Sequence, residues 1–186
     1  MAFVRLLLIM LLLACAGCGG PGSGLPLLQN PDQESYRLGA GDQVRIIVVG
    51  EDNLTGEFRV NDSGNIALPL LGAVHAEGLT SGGLETAVAA ALRRGKLISN
   101  PSVAVEIIAY RPIYVLGEVN KPGQYPYQPG MTVVTAVAVA GGFTYRAVEG
   151  YAAVVRTVDG TAVEGKANRQ SFVQPGDVIT VFERRF

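Results

Sequence analysis

The sequence has few residues suited to metal binding or nucleophilic catalysis. It contains no tryptophan, one histidine and two cysteines among its 186 residues. Cys15 and Cys18 lie close to the N-terminus, and His75 has no second histidine or cysteine near it in the sequence. A zinc site with several such ligands is therefore excluded, as are a Cys–His catalytic pair and a disulfide framework in the body of the chain. We expect neither a metal nor a cofactor.

Charge is low and balanced along the chain. The 15 basic and 16 acidic residues give a formal net charge of −1, so nothing indicates a surface for nucleic acid. The 24 glycines and 10 prolines favour short strands joined by turns. With 48% hydrophobic residues, the chain is long enough for one compact domain or two small ones.

Residues 1–17 have the three parts of a secretory signal peptide. Arg5 supplies a positive charge, residues 6–13 form an unbroken apolar run, and Ala16 and Gly17 provide a small-residue end. A membrane-spanning helix needs about 20 apolar residues, so this run is too short to span a bilayer. We therefore predict a cleaved signal peptide.

Residues 14–19 resemble a bacterial lipobox, in which small residues precede a cysteine that becomes acylated. Cys18 follows an alanine and a glycine and is the favoured lipidated residue, with Cys15 as the alternative. Several acyl chains would form a permanent anchor, because each buried CH₂ contributes about 0.8 kcal/mol. The glycine after Cys18 is compatible with transport to the outer membrane. Residues 18–35 are rich in Gly, Pro, Gln and Asn and predict a flexible tether.

The body of the chain alternates short strands with turns and contains one clear helical pattern, which predicts an α+β fold. Apolar residues recur at helical spacing from Leu84 to Leu92. Thr80 or Ser81 precedes this pattern as an N-cap, and Gly95 follows as a natural C-terminal cap.

Two further segments depend on local turn and strand signals. Residues 62–65 are typical of a hairpin loop between two flanking strands. Residues 132–140 are ambiguous, because their valines favour a strand whereas the flanking threonine and glycines favour a helix.

Three aspartates stand beside glycine or serine: Asp42, Asp62 and Asp177. An aspartate in such a turn accepts hydrogen bonds from nearby backbone, so we assign all three to turn formation rather than to paired-carboxylate catalysis. His75 is expected to be a surface or half-buried strand residue. The tyrosines that cluster after residue 109 suit a sugar-stacking surface, but packing in hairpins and interfaces is the favoured interpretation. We predict that the protein is not an enzyme.

Two groups of motifs resemble a known pair of domains. The first group comprises residues 36–42, 60–72, 78–80 and 100–103. It resembles the polysaccharide biosynthesis/export family, the Wza-like outer-membrane export proteins. The second group comprises residues 115–119, 121–125, 129–133 and 138–143 and resembles the soluble-ligand-binding β-grasp (SLBB) module that follows the export domain in that family.

The resemblance implies a two-part α+β architecture. Residues 36–109 would form an export domain with a small mixed sheet and one packed helix, and residues 110–186 a β-grasp domain. It also implies that residues 132–140 form a helix on the β-grasp sheet. Longer members end in an amphipathic helix that enters the outer membrane, whereas this sequence stops directly after a predicted strand. We therefore expect a short member without its own outer-membrane channel.

The resemblance also implies a role in polysaccharide secretion. Copies of the chain would form a ring in the periplasm that conducts a growing exopolysaccharide or capsule chain. The ring would dock with an inner-membrane copolymerase that regulates chain length, and a separate β-barrel partner would complete the outer-membrane path. The expected location is the periplasmic face of the outer membrane in a Gram-negative cell. The alternative is a periplasmic glycan-sensing or ligand-binding lipoprotein that builds no conduit.

We expect contacts between neighbouring subunits to involve the region around residues 62–71 and the helix around residues 84–92. The predicted contact residues are Asp62, Ser63, Gly64, Pro69, Leu70, Leu71, Leu84 and Val88.

Overall fold

The computed structural model describes residues 20–28, 36–158 and 160–184. The predicted signal peptide, Cys15, Cys18 and residues 29–35 of the predicted tether lie outside the described residues. Within the described ranges, no helix combines the length and apolar character needed to cross a membrane.

The first half of the chain forms two small sheets and one helix. Its elements are β1 (Gln43–Val48), a short 3-10 helix (Asp52–Leu54), β2 (Gly56–Arg59), β3 (Asn65–Leu68), β4 (Gly72–His75), α1 (Ser81–Arg94) and β5 (Val103–Ala109). A three-stranded sheet has the order β2-β1-β5, and both of its pairings are antiparallel. Strands β3 and β4 pair with each other as a separate antiparallel hairpin.

Helix α1 packs on β5 and β4 and closes the core of the first half. The Gly83 backbone N–H donates a hydrogen bond to the Thr80 hydroxyl (3.1 Å), which makes Thr80 the N-cap. Leu84, Val88 and Leu92 form the buried stripe of the helix. The helical spacing in the sequence predicted this stripe, and the prediction is confirmed.

The second half of the chain forms one five-stranded sheet with a helix across it. Its elements are β6 (Ile113–Gly117), β7 (Gly123–Tyr125), α2 (Val133–Val139), β8 (Tyr151–Val158), β9 (Thr161–Asn168) and β10 (Val178–Val181). The strand order is β7-β6-β10-β8-β9, with β10 parallel to β6 and the other pairings antiparallel. This order, with the first and last strands adjacent and parallel, is that of a β-grasp fold. The predicted α+β class is confirmed.

The ambiguous segment 132–140 is helical, as the family resemblance implied. The Thr135 backbone N–H donates to the Thr132 hydroxyl while the Thr135 hydroxyl accepts from the Thr132 backbone N–H, which is a capping box. Val133, Ala136 and Val137 are buried against the sheet. The helix therefore forms because one apolar face is covered, although valine alone favours a strand.

Residues 62–65 form a tight turn, but they do not connect two paired strands. The Asn61 backbone N–H donates to the Asn65 carbonyl (2.8 Å), and the Asn61 side-chain oxygen accepts from the Asn65 N–H (2.9 Å). However, β2 pairs with β1, and β3 pairs with β4. The hairpin prediction is wrong because Ile66 and Leu68 are buried in the core and carry β3 out of the β2 sheet.

Residues 20–28 lie along the edge of the second sheet. The Leu28 N–H donates to the Lys166 carbonyl (2.9 Å), and the Lys166 N–H donates to the Pro26 carbonyl (2.7 Å). Leu27 forms a parallel bridge with Lys166. This part of the predicted tether is therefore bound to β9 rather than extended in solvent. An edge strand has unpaired backbone groups, and this segment satisfies some of them.

Candidate functional site

Three of the residues predicted to contact a neighbouring subunit are buried. Leu84 and Val88 have no exposed surface because they face the core under α1. Gly64 is also buried, and its carbonyl accepts hydrogen bonds from the backbone of Ala76 and Glu77 (2.9 Å each). A side chain at Gly64 would collide with Glu77. We therefore correct these three residues from contact residues to residues that maintain the fold.

The remaining predicted contact residues lie in two surface turns. Asp62 and Ser63 are exposed in the turn before β3. Pro69 and Leu70 are exposed at the tip of the β3–β4 hairpin, where Leu71 is half-buried. These residues are accessible to a partner.

The hairpin tip holds a leucine in an unfavourable backbone conformation. Leu70 has φ 63° and is 78% exposed. The Leu71 N–H donates to the Pro69 carbonyl (2.7 Å) across it, which closes a three-residue turn. Positive φ is strained for a leucine, and such strain is concentrated at functional sites in proteins.

The C-terminal end of α1 contains a second residue with left-handed backbone. Gly95 is the C-cap but has right-handed φ (−72°), whereas Lys96 has φ 56°. The Lys96 N–H donates to the Arg93 carbonyl (3.0 Å), and the Leu97 N–H donates to the Leu92 carbonyl (3.1 Å). These two bonds form a Schellman motif, in which glycine usually occupies the left-handed position. Here a lysine occupies it.

The hairpin tip and the helix end form one continuous surface. A Cβ atom built on Gly95 would lie 3.5 Å from Leu71 Cδ2 and 3.7 Å from Leu97 Cδ1. Side chains from the hairpin tip and from the residues after α1 therefore meet at the C-cap of the helix.

A second candidate site lies at the junction between the two halves. Asp42 is buried at the start of β1. Its Oδ2 accepts hydrogen bonds from the Gly39 backbone N–H (2.8 Å) and the Tyr36 hydroxyl (2.6 Å). Its Oδ1 accepts a hydrogen bond from the Arg111 backbone N–H (2.8 Å). The turn-forming role predicted for Asp42 is confirmed, and the contact with Arg111 is one that sequence reasoning missed.

The side chains of Arg111 and Tyr36 close over this carboxylate. Arg111 Nη2 donates to the Tyr36 hydroxyl oxygen (3.1 Å), and Arg111 Nε lies 3.6 Å from Asp42 Oδ1. A Cβ at Gly39 would lie 2.5 Å from Arg111 Nη1, so a larger residue there would displace the guanidinium from this position. Burial raises the pKa of Tyr36, and its hydrogen bond to Asp42 raises this pKa further, so the hydroxyl stays protonated as a donor.

Three tyrosine rings continue the junction from one half to the other. The Tyr110 ring lies edge-on to Tyr36 at 5.0 Å between centroids and to Tyr127 at 5.4 Å. Tyr36 precedes β1, whereas Tyr127 follows β7 in the second half. Part of the tyrosine cluster therefore serves packing, which was the favoured interpretation. The clue in the sequence was a tyrosine on each side of the domain boundary.

A related buried pair lies inside the second half. Arg156 Nε donates to Asp177 Oδ1 (3.0 Å), and Arg156 Nη2 donates to Asp177 Oδ2 (2.7 Å). The Gln174 backbone N–H also donates to Asp177 Oδ2 (2.7 Å). The turn-forming role predicted for Asp177 is confirmed, and the ion pair holds β8 to the start of β10.

His75 is exposed on β4, as expected for a surface strand residue. In residues 20–28, 36–158 and 160–184, no group of three or more His, Cys, Asp or Glu side chains is arranged to hold a metal ion.

Comparison with known proteins agrees with the two-part fold. Residues 30–108 match the family described as "Polysaccharide biosynthesis/export protein", and residues 112–165 match the SLBB domain. The junction built on Arg111 falls between the two matches. The chain therefore contains a region that matches the polysaccharide biosynthesis/export family, followed by a region that matches the SLBB domain. These matches to polysaccharide export proteins support the prediction that the protein is not an enzyme.

Three curated relatives are named for polysaccharide production or transport. The chain is 36% identical over 122 residues to the exopolysaccharide production protein ExoF of Rhizobium meliloti, covering 59% of this chain and 28% of ExoF. It is 31% identical over 134 residues to the EPS I polysaccharide export outer membrane protein EpsA of Ralstonia solanacearum, covering 58% and 35%. It is 30% identical over 122 residues to the polysialic acid transport protein KpsD of Escherichia coli, covering 64% and 21%. The chain thus spans between 21% and 35% of the length of these curated relatives.

Proposed function

We propose that this protein is a lipid-anchored component of an exopolysaccharide or capsule export machine at the periplasmic face of the outer membrane. The match of residues 30–108 to the export family carries the proposal. Relatives named for exopolysaccharide production, polysaccharide export and polysialic acid transport support it. The lipobox predicted at Cys18, with Cys15 as the alternative, supplies the anchor.

In this proposal, copies of the chain form a closed ring around the polysaccharide. A ring closes only if every subunit repeats the same rotation, so a two-domain subunit needs a constant angle between its domains. The hydrogen bond from Arg111 to Asp42 and the ring contacts of Tyr110 support such stiffness. The ring confines a hydrated polymer and leaves its covalent structure unchanged.

The partners in this proposal follow from the path of the polymer. An inner-membrane copolymerase delivers the chain and sets its length, and a β-barrel partner conducts it through the outer membrane. Because the cargo has to move, the ring binds it weakly at many equivalent positions.

Deletion of the gene tests this function directly. We expect extracellular polysaccharide to be lost while polymer accumulates inside the envelope. The wild-type gene and a Cys15→Ala variant restore secretion, whereas Cys18→Ala does not and also loses incorporation of labelled palmitate. Cys15→Ala is the matched control because it removes a neighbouring cysteine from the same segment.

Unchanged secretion in the deletion strain would contradict an export role. Tight binding of oligosaccharides by a monomer, together with normal secretion, would favour the glycan-sensing alternative instead. If the two cysteine variants exchange their behaviour, Cys15 is the anchor and the export role stands.

A further inference from the structure

Two exposed surfaces of the first half carry opposite charges around apolar side chains. The first, which we name the basic patch, comprises Leu70, Arg93, Arg94, Lys96 and Leu97. The second, which we name the acidic patch, comprises Ile47, Val49, Glu51 and Asp52. Neither patch takes part in the junction between the halves.

The basic patch combines exposed leucines with exposed cations. Leu70 is 78% exposed, and Leu97 is 42% exposed. Arg93, Arg94 and Lys96 are exposed beside them, and none forms an ion pair with another residue in the described part of the chain. Exposed apolar side chains rimmed by charge are typical of a protein interaction surface.

Backbone strain supports a role for the side chains of this patch. Within the described ranges, Leu70 and Lys96 are the two non-glycine residues with positive φ. Glycine would adopt either conformation at lower energetic cost. A role for the side chains would therefore explain why a leucine and a lysine, rather than glycine, occupy these two positions.

The acidic patch has the complementary composition. Val49 is 68% exposed and Ile47 is 41% exposed at the end of β1. Glu51 and Asp52 follow in the turn to β2, where both are exposed. Neither carboxylate forms an ion pair with any residue that the structure describes.

The basic patch and Ile47 of the acidic patch lie on opposite sides of the β2-β1-β5 sheet. Val44, Ile46 and Val48 alternate along β1 and are buried in the core on the side of α1. Ile47 therefore points to the other side, since successive side chains of a strand alternate, and Val49 follows in the turn after β1. The basic patch belongs to the helix end and the hairpin tip, which are on the core side. Within the part of the chain that the structure describes, no ion pair joins the two patches.

We propose that the basic patch of one copy binds the acidic patch of the next copy, so that the first halves associate head to tail. Complementary patches on two different surfaces of one molecule make a heterologous contact, which closes into a ring when the rotation per subunit permits. Leu70 and Val49 supply the dry centre of the contact, and the charges supply its rim and orientation. This inference rests on the proposed function for the ring, but the association itself is measurable without export.

Charge reversal tests the contact. The full-length chain, purified in detergent, is analysed for self-association by analytical ultracentrifugation over a range of concentrations. R93E/R94E reverses the basic patch, and E51R/D52R reverses the acidic patch. We expect each double variant to raise the Kd of association about tenfold or more, and the fourfold variant to return within about threefold of the wild type.

Two control variants separate this contact from a folding defect. Lys96→Gly removes a charge and relieves the left-handed strain, so we expect a higher Tm together with weaker association. A variant that merely misfolds would show a lower Tm. K121E/R169E reverses two exposed charges in the second half and should leave the Kd unchanged.

Several outcomes would overturn the proposal. A reversal of either patch that leaves the Kd unchanged, or a fourfold variant that stays dissociated, rejects this contact even if the secretion assay supports export. A wild-type chain that remains monomeric at every concentration rejects both the contact and the ring. If R93E/R94E abolishes binding to anionic phospholipid vesicles but leaves association intact, the basic patch is a membrane contact and the proposal fails.

Discussion

The two halves of the molecule contain the same aspartate turn but use it differently. Asp42 precedes β1 and Asp177 precedes β10, and each directly follows a glycine with positive φ. Each carboxylate accepts a backbone N–H from three residues upstream, Gly39 (2.8 Å) or Gln174 (2.7 Å). The local structure is therefore alike in both halves.

The difference lies in the remaining partners of each carboxylate. Asp177 pairs with Arg156, and the two side chains are only 1% and 6% exposed. Asp42 instead accepts from the Tyr36 hydroxyl and from the backbone of Arg111, at the boundary between the domains. One turn thus stabilises the interior of a domain, and the other fixes how two domains are joined. The tertiary neighbours, rather than the turn, decide this role.

The largest effect is expected for Asp177→Asn. The substitution leaves the Arg156 guanidinium buried without a counter-charge, so we expect a loss of about 3–5 kcal/mol in the free energy of unfolding. Urea unfolding followed by circular dichroism measures it. Asp62→Asn, in an exposed turn, is the matched control and should change stability by less than about 0.5 kcal/mol. A loss below about 1 kcal/mol for Asp177→Asn would contradict the claim that the Asp177 carboxylate stabilises the interior of the second half.

For Asp42→Asn we expect a smaller loss of stability, and we expect it at the boundary between the domains. The amide has one acceptor oxygen where the carboxylate has two, so one buried donor loses its partner, at a cost of about 1–3 kcal/mol. Because Asp42 holds Arg111, we expect faster proteolysis at residues 109–112 while the second half stays folded. Mass spectrometry of the fragments locates the cuts. If Asp42→Asn instead unfolds the second half, as expected for Asp177→Asn, the two turns do not differ in the way described.

The smallest effect is expected for Tyr36→Phe, which removes one hydrogen bond to Asp42 and about 1 kcal/mol of stability near neutral pH. The substitution also tests a pH dependence. Folding raises the pKa of Tyr36, so the folded state retains this proton better than the unfolded state, whose tyrosine pKa is about 10. The contribution is fully present below about pH 10 and is lost as the pH rises further.

Unfolding free energies measured near pH 8 and above about pH 10 reveal this contribution. We expect the wild type to lose more stability over that interval than Tyr36→Phe does. Tyr145→Phe, at a fully solvated ring, should behave like the wild type. If the free energy of unfolding falls equally with pH in the wild type and in Tyr36→Phe, the Tyr36 hydroxyl does not donate to Asp42 in the folded state.

Local sequence signals predicted the structure correctly where they were a helical repeat of apolar residues or a capping residue at a helix end. The apolar spacing from Leu84 to Leu92 predicted α1 and its buried face. The same spacing indicates that Leu84 and Val88 face inward, so the prediction that they contact a neighbouring subunit is wrong. Gly95 marked the end of the helix correctly, but the left-handed residue is Lys96.

Other features depended on partners far away in the sequence. The turn at residues 62–65 was recognisable, yet β3 pairs with β4 because the core accepts Ile66 and Leu68. Residues 20–28 have the composition of a tether but find the free edge of β9. Neither the pairing of β3 with β4 nor the binding of residues 20–28 to β9 is indicated by residues close to these segments in the sequence.

The order of residues alone decided the helix positions, the capping side chains, the turn aspartates and the family resemblance, because each depends on neighbours a few positions apart. Only the folded chain decided that Asp42 would hold Arg111, 69 positions away, and that residues 20–28 would bind the edge of β9. The physical reason is range: hydrogen bonds and apolar contacts act over a few ångströms, so the partner that gives a side chain its role must first be brought there by packing.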